Sequence, residues 1–345
     1  MSAAPAPLGR SDPADFAAAL VTWTERGLYC PAGDFHIDPC RAVQTAVITH
    51  AHGDHLRGGC ARYLLAAAGE SLARHRLGRG SSVTGLEYGV PVSLGGVRVS
   101  LHAAGHVLGS SQVRIEHAGC VWVVSGDYKR QPDPTCAPFE ELACDVFVSE
   151  ATFAQPRYRW PPTADVVAQI WDWWRDNRAR GIASVLFCYA LGKAQRVLAE
   201  LTAFTDQTVY VHPAIAPLTR LYRKAGIRLL PTLTSAASAD YRGSLVLVPP
   251  GAAGTPWMRR LGEHSRALCS GWMCEPEQAR RRAYDRGFVL SDHADWPALT
   301  STCLATGARR VLLMHGQSSA LAEFLRQRGV DAKAIAQPAG VTVPA

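Results

Sequence analysis

The chain has 345 residues, of which 48% are hydrophobic and 19% are charged. This composition excludes a largely disordered protein and predicts one large domain or two joined by short linkers. The absence of an uninterrupted apolar run of about eighteen residues excludes a membrane-spanning helix. Because the N-terminus also lacks a basic start followed by an apolar run, we predict a cytoplasmic protein without a signal peptide. Residues 1–16 are expected to form a loose tail.

The chain is basic, with a formal net charge of +7 and a pI of about 9.0. A positive charge favours polyanionic partners such as nucleic acids, because contacts with phosphates supply most of the sequence-independent affinity. The positive groups are 32 Arg and only 4 Lys, which a GC-rich genome explains equally well. Charge alone therefore does not identify the partner.

The first half alternates short β-rich runs with glycine-rich turns, and each run ends in a polar or ionisable residue. These runs are TAVITH, VRVSLHAAGH, SQVRIEH, CVWVVSGD and CDVFVSE. The pattern predicts that polar side chains gather at one edge of a sheet.

From about residue 160 the pattern changes to alternating helices and strands. ADVVAQIWDWWRDNRARG is predicted to form an amphipathic helix whose tryptophans pack in a core, and ALGKAQRVL is predicted to begin a helix directly after a strand. The strand pattern then returns at GFVLSDHAD and RRVLLMHG. We therefore predict an α/β protein in which a catalytic domain (17–158 and 288–345) is interrupted by an inserted α/β domain (159–287).

Thr49 to His55 read THAHGDH and directly follow an apolar run. Alternate histidines at 50 and 52 can face one cation, and Asp54 and His55, predicted to enter a following helix, can face a second. Four ligand-type side chains within six residues at a strand end are costly unless a metal neutralises and orients them.

More distant residues must complete two cation sites. His106 follows the strand VRVSL and lies among glycines, whereas His102 in the same run is a rival candidate. Asp127 ends another strand, where a carboxylate can bridge two cations. His315 ends a late strand and can complete the second site.

These motifs resemble the metallo-β-lactamase superfamily and specifically its nucleic-acid-processing β-CASP branch. The resemblance implies a metallo-β-lactamase αββα sandwich interrupted by the inserted β-CASP domain. It assigns one zinc to His50, His52, His106 and Asp127, and the other zinc to Asp54, His55, Asp127 and His315. Asp38 matches an early aspartate that supports the ligands from outside, and Asp34 is close enough to compete.

The assignment to this branch rests on three further matches and on the Gly-Lys-x-Gln sequence at the start of a predicted helix. Glu150 and His293 resemble the acidic residue and the later histidine of the β-CASP pattern, and His315 resembles its last histidine. The resemblance implies that Glu150 orients His293 beside the scissile phosphate. Alternatively, Asp292 caps a helix and His293 is simply exposed.

Within this branch, the chain is most similar to the bacterial ligase-associated DNA exonucleases, which are distant relatives of Artemis. The motifs that carry this similarity are GLYCPAGDFHIDP, ITHAHGDH and LSDHADW. This resemblance implies a DNA-repair exonuclease that uses a hydroxide activated by two Zn²⁺ ions, with Mn²⁺ as a possible replacement. Its catalytic residues would be His293, Glu150 and Asp54. The implied partners are DNA, as a single strand or a duplex end, and an ATP-dependent DNA ligase, with no membrane.

Substrate contacts are predicted at Lys193, which begins a helix where backbone amides and an ammonium can meet a phosphate. Arg157 and Arg159 alternate with Tyr158 and Trp160 and are predicted to clamp a single strand. An ordinary exposed linker explains this second pattern equally well.

Three other functions remain open on the sequence. The first is an RNase of the same branch, because recognition of the 2′-hydroxyl leaves no motif. The second is a small-molecule hydrolase acting on a thioester or lactam, against which the inserted domain and His293 argue. The third is a zinc-stabilised nucleic-acid-binding module without turnover.

Overall fold

The computed structural model describes residues 19–236, 239–275, 277 and 284–335. The predicted tail at residues 1–16 lies outside the described residues. Within them the strands form three sheets and are accompanied by helices, so the prediction of a mixed α/β fold is confirmed. The same part of the chain has no helix both long enough and apolar enough to span a bilayer.

The first sheet has six strands in chain order, antiparallel from β1 to β3 and parallel from β3 to β6. They are β1 (Thr22–Thr24), β2 (Gly27–Cys30), β3 (Phe35–Ile37), β4 (Thr45–Val47), β5 (Arg62–Ala66) and β6 (Val83–Leu86).

The second sheet has seven strands in the order β19-β18-β11-β10-β9-β8-β7. They are β7 (Val92–Leu94), β8 (Val97–Ala103), β9 (Ser111–His117), β10 (Cys120–Val124), β11 (Val146–Glu150), β18 (Arg310–Met314) and β19 (Asp331–Ala334). The strands β10, β11, β18 and β19 are parallel to one another, so their carboxyl ends meet at one edge.

The third sheet is entirely parallel and has the order β14-β13-β15-β12-β16-β17. It consists of β12 (Ala183–Phe187), β13 (Val209–Val211), β14 (Thr232–Thr234), β15 (Leu245–Val248), β16 (His264–Cys269) and β17 (Arg286–Phe288).

The described residues include six α-helices. They are α1 (Glu70–Leu77), α2 (Thr163–Ala179), α3 (Lys193–Glu200), α4 (Ala216–Lys224), α5 (Trp296–Ala305) and α6 (Ser319–Arg326). α2 buries Ile170, Trp173 and Trp174 at helical spacing, which confirms the core prediction for these two tryptophans, whereas Trp171 is half-buried at the edge of the same core. Burying one such side chain stabilises the fold by roughly 1.5–3 kcal/mol.

The first two sheets pack face to face and are covered on their outer faces. Alternating residues such as Val99 and Leu101 of β8 pack against Val47 of the first sheet in one core. Helices α5 and α6 cover the outer face of the second sheet through Leu299 and Leu325. α1 and the helices beside the third sheet share a core with the outer face of the first sheet.

The turn after β4 differs from the prediction. Residues 51–55 form turns rather than the start of a helix, so the prediction that Asp54 and His55 enter a helix is wrong. A single helical turn closes where Leu56 N donates to His52 O at 2.8 Å. The chain does not continue as a helix after this turn, and Gly59, with φ of +96°, has a backbone conformation that a helix does not use.

Candidate metal centre

The loop after β4 is fixed by one carboxylate. The backbone N of Thr49 donates to Asp38 at 2.7 Å and its hydroxyl donates to the same carboxylate at 2.5 Å. Thr49 Oγ is therefore free to accept from Nδ1 of His50, which lies 3.1 Å away. Gly126 has φ of +56°, and a Cβ there would lie 2.6 Å from Thr49 Cβ. Only glycine lets the end of β10 approach this loop so closely.

Four side chains converge beside this loop, and we call them the first side: His50, His52, His106 and Asp127. Their candidate ligand atoms all lie within 4.8 Å of one another. His52 Nδ1 is 3.0 Å from His50 Nε2 and 3.1 Å from His106 Nε2. Asp127 Oδ2 is 3.6 Å from the first of these Nε2 atoms and 3.7 Å from the second. Ligand atoms around a tetrahedral zinc ion lie roughly 3.3 Å apart, so the spacing fits one cation.

The outward ring nitrogens of these histidines each have an acceptor. His52 Nε2 donates to Leu191 O at 3.1 Å, and His106 Nδ1 donates to Asp292 O at 2.6 Å. His50 Nδ1 donates to the threonine hydroxyl described above. Because a neutral imidazole has only one N–H, each inward nitrogen carries a lone pair. Three lone pairs and a carboxylate thus face one point, which a cation would stabilise.

Burial keeps these rings neutral. It lowers the pKa of His50 and His106 well below the usual value and also lowers the pKa of His52. Neutral imidazoles are the form that binds a metal. The three histidines are therefore in their metal-binding form at neutral pH.

A second group, which we call the second side, contains Asp54, His55, Asp127 and His315. His55 Nε2 lies 3.4 Å from Asp127 Oδ2 and 3.7 Å from Asp54 Oδ2. The ligand atoms of His55, Asp127 and His315 lie within 4.8 Å of one another. The carboxylate of Asp127 therefore faces both sides, as a bridging ligand must.

His55 differs electrostatically from the histidines of the first side. Burial opposes its protonation, but the carboxylates of Asp127 and Asp38 outweigh burial and hold its pKa well above the usual value. Its Nδ1 donates to Asp38 at 2.7 Å. A proton on Nε2 consequently takes the place beside Asp127 that a cation would take, and cation binding on this side must displace it.

Beside the first side, His293 is paired with Glu150. Nδ1 of His293 donates to the two carboxylate oxygens of Glu150 at 2.9 and 3.1 Å, and Tyr128 N donates to the same carboxylate at 2.7 Å. Burial lowers the pKa of His293, but Glu150 and Asp127 raise it to about 9. His293 is therefore an imidazolium at neutral pH, with Nε2–H left to donate.

The N-cap of α5 is Asp295, so the alternative that Asp292 caps a helix is wrong.

Two residues of the centre have an unusual backbone. Asp38 has φ of +44° and His315 has φ of +60°, in the left-handed region that non-glycine residues rarely adopt. The surrounding structure must impose these conformations, each at a cost of order 1 kcal/mol.

The two rival candidates lie elsewhere. His102 on β8 is hydrogen-bonded to Ser100 Oγ and to Glu140, each at 3.0 Å. Asp34 accepts from the hydroxyl of Tyr29 at 2.9 Å at the protein surface. Geometry therefore favours His106 over the first rival and Asp38 over the second.

The predicted phosphate contact of Lys193 is not favoured by its position. Lys193 is 2% exposed, and its ammonium lies 2.8 Å from Asp292 Oδ1. A charge already paired inside the protein is not available to an external phosphate.

The predicted clamp after β11 is only partly exposed. Tyr158 is buried and donates to Glu275 at 2.7 Å, and Trp160 donates from its indole N to His293 O at 2.8 Å. Trp160 therefore supports the segment that carries His293, and the buried ring of Tyr158 is not available to stack on a base. Arg157 and Arg159 are exposed, and Arg157 pairs with Glu275 at 3.1 Å.

The sequence interpretation missed several groups that orient the candidate ligands. The Thr49 hydroxyl and the carbonyl oxygens of Leu191 and Asp292 accept from histidine N–H groups of the first side. Thr49 could have been suspected from its position directly before His50. Backbone carbonyls give no signal in a sequence, because every residue carries one.

Comparison with known proteins connects the chain with enzymes of nucleic-acid processing. No protein-family model matches it. Over 318 residues the chain is 34% identical to a protein of Opitutus terrae named "Probable DNA ligase", a match that covers 90% of this chain and 30% of the relative. Over 124 residues it is 28% identical to "Endoribonuclease YSH1" of Saccharomyces cerevisiae and 26% identical to "Endoribonuclease YSH1" of Eremothecium gossypii, each match covering 35% of this chain and 16% of the relative. The chain thus spans less than a third of the length of these curated relatives.

Proposed function

We propose that the chain is a metal-dependent nuclease of the metallo-β-lactamase superfamily, β-CASP branch, and that it removes nucleotides from DNA ends during repair. In this proposal residues 17–158 and 288–345 form the metallo-β-lactamase domain and residues 159–287 form the inserted β-CASP domain. The observation that carries the proposal is the convergence of three lone pairs and a carboxylate at the first side. Hydrogen bonding alone gives no reason for four acceptors to face one another.

The two sides fit a pair of divalent cations that share Asp127. Nitrogen and carboxylate ligands at this spacing suit zinc, and manganese accepts the same donor types less strongly. Two such cations would activate a water for in-line attack on phosphorus and neutralise the charge that develops on the phosphoryl oxygens. In the proposal Asp54 completes the second side and helps to orient the water.

The chain's own contribution to bond cleavage is proton transfer by His293. Glu150 fixes its ring through Nδ1, which leaves Nε2–H as the donor toward the phosphate or the departing oxygen. In the metal-free protein Glu150 and Asp127 raise the pKa of this ring to about 9, so the ring holds the proton that a general acid supplies.

DNA is the proposed substrate because the relative that matches 90% of this chain is named a DNA ligase. Most of that relative lies outside the match, so we take its name to describe the unmatched part. A nuclease segment in one polypeptide with a ligase would couple end trimming to end joining. A functional link between this chain and an ATP-dependent DNA ligase follows from the proposal. The net charge of +7 suits a phosphate backbone.

RNA is the second candidate substrate. The relatives named YSH1 are described as endoribonucleases, but they match only 35% of this chain. An RNase of the same branch would use the same cations and the same His293. The two candidates therefore differ in substrate contacts and not in chemistry.

Cleavage of end-labelled DNA and RNA strands by the metal-loaded protein tests the proposal. We expect a ladder of products that starts from one DNA end in the presence of Zn²⁺ or Mn²⁺. Cleavage of RNA alone would replace DNA by the second candidate. Absence of cleavage of either polymer by a protein that has bound cations would overturn the proposal.

The His293→Ala variant tests the assigned acid. We expect it to bind both cations and to lose about 10²–10⁴-fold in cleavage rate, the usual contribution of general acid catalysis. His102→Ala is a matched control, since that ring lies on β8 with its own partners outside the centre. A near-normal rate for His293→Ala would remove His293 from the mechanism.

A further inference from the structure

A cluster of buried charges lies between the third sheet and the first side of the metal centre. We call it the ion cluster: Lys129, Asp133, Lys193, Arg196 and Asp292. Their side chains are each at most 6% exposed. Lys129 pairs with Asp133 at 2.6 Å, and Lys193 pairs with Asp292 at 2.8 Å. Such a cluster is costly to bury, so a role beyond stability has to be sought.

The ion cluster holds the segment that follows β17. Arg196, on α3, donates from Nη1 to the carbonyl of Ser291 at 2.6 Å and lies 3.5 Å from the Asp292 carboxylate. Lys193, at the start of the same helix, pairs with that carboxylate. The backbone carbonyl of Asp292 is thereby held in place, and it is this carbonyl that accepts from Nδ1 of His106 at 2.6 Å.

A second contact joins the third sheet to the first side. The loop between β12 and α3 presents the carbonyl of Leu191 to Nε2 of His52 at 3.1 Å. Gly192 follows with φ of +88°, and a Cβ there would lie 2.4 Å from Val107 Cγ1. The loop therefore sits against the segment that carries His106 as closely as glycine permits.

Two of the three histidines of the first side are thus oriented from the third sheet. We infer that Lys193 and Arg196 are positioning residues for the candidate metal centre. By anchoring the segment after β17 they keep the inward lone pair of His106 aimed at the cation, so the third sheet controls cation affinity. This inference rests on the metal centre of the proposed function, but not on which polymer is cut or whether one is cut.

Lys193→Met tests the inference through cation binding. We expect the tighter of the two binding steps for Zn²⁺, measured by competition with a chromophoric chelator, to weaken about tenfold or more, as for the loss of other groups that orient ligands. The visible spectrum of the Co²⁺-loaded variant should also change, because the geometry of the nitrogen ligands around the ion changes.

Asn177→Ala is the matched control. Asn177 is 2% exposed and donates to Ser184 Oγ at 2.9 Å, on α2 beside the third sheet. Its loss should lower the melting temperature of the metal-free protein but leave the zinc affinity within about twofold and the Co²⁺ spectrum unchanged. Comparison of the two variants separates positioning from general destabilisation.

The double variant Lys193→Met/Asp292→Asn applies if Lys193→Met does not fold. It removes one charge of each sign, keeps the backbone carbonyl of Asp292, and leaves no partner of this pair uncompensated. The same weakening of zinc binding is expected. Unchanged zinc affinity and an unchanged Co²⁺ spectrum in a folded variant would overturn the inference.

The outcomes separate this inference from the proposed function. Wild-type protein that binds zinc but cuts neither DNA nor RNA would end the proposed function and leave the inference standing. Wild-type protein that binds no cation would overturn both. Active wild-type protein together with an unaffected Lys193→Met variant would overturn the inference alone.

Discussion

The two sides of the candidate metal centre share Asp127 but differ in how their ligand atoms are prepared for a cation. On the first side, burial keeps His50, His52 and His106 neutral, and a hydrogen-bond acceptor fixes each outward nitrogen. On the second side, His55 holds a proton beside the shared carboxylate. A cation would therefore meet free lone pairs on the first side, whereas it would have to displace a proton on the second.

The two sides also differ in how far some of their side chains are exposed to solvent. The side chains of His50 and His106 are at most 1% exposed, whereas that of Asp54 is 29% exposed. We therefore expect one tightly held cation on the first side and one exchangeable cation on the second. On the second side, solvent reaches the centre through Asp54.

We expect the largest loss of cleavage rate from a substitution of Asp127, the carboxylate that the two sides share. Asp127→Asn keeps the shape of the side chain but removes the charge that both sides use, so both cations should bind weakly. We expect cleavage to fall by about a thousandfold or more, which corresponds to roughly 4 kcal/mol of transition-state stabilisation. Metal analysis after gel filtration should find little bound cation. Retention of two tightly bound cations would show that Asp127 bridges nothing.

His106→Ala and His315→Ala remove one candidate ligand from each side. His106→Ala should weaken the tight binding step by about a hundredfold or more, since loss of a direct ligand should exceed loss of a group that orients one. His315→Ala should retain the tight step and lose the exchangeable one. Zinc titration of both variants, with His102→Ala as the control histidine, measures the difference. Equal losses in the two variants would mean that the two sides do not bind independently.

We expect the smallest loss of zinc affinity from removal of the Thr49 hydroxyl group. Thr49→Val keeps the branched shape but leaves Nδ1 of His50 without its acceptor. We expect the tight zinc-binding step to weaken about tenfold. The exchangeable step should weaken less, because the hydroxyl also donates to the Asp38 carboxylate that holds His55. Calorimetric titration at a fixed pH resolves the two steps. A loss confined to the exchangeable step would reverse the proposed contrast.

Much of the centre could be predicted from the sequence because strand periodicity is a local property. Asp127 and His315 follow the apolar strands β10 and β18, which run parallel in one sheet, so their ends meet at one edge. His50 also follows an apolar strand, but β4 belongs to the first sheet, and its approach to that edge depends on how the two sheets pack. The choice between His102 and His106 followed the same argument, since the first lies within β8 and the second beyond its end.

The errors arose where the answer depends on contacts between distant residues. Lys193 begins a helix after a strand, as predicted, but its partner Asp292 lies 99 residues away, and no local pattern reports that distance. The turn at Asp54 and His55 was assigned to a helix because the side-chain pattern allowed it. The glycines that follow were the available signal against it.

The left-handed backbone at Asp38 and His315 affects which substitutions would stabilise the fold at these two positions. Both positions would be easier to fold with glycine, yet glycine supplies neither a carboxylate nor an imidazole. We therefore expect mutations selected only for thermal stability to replace these residues early and to remove groups of the candidate metal centre as they do so. In this candidate centre, the positions with the most strained backbone are thus also positions whose side chains the proposed chemistry uses.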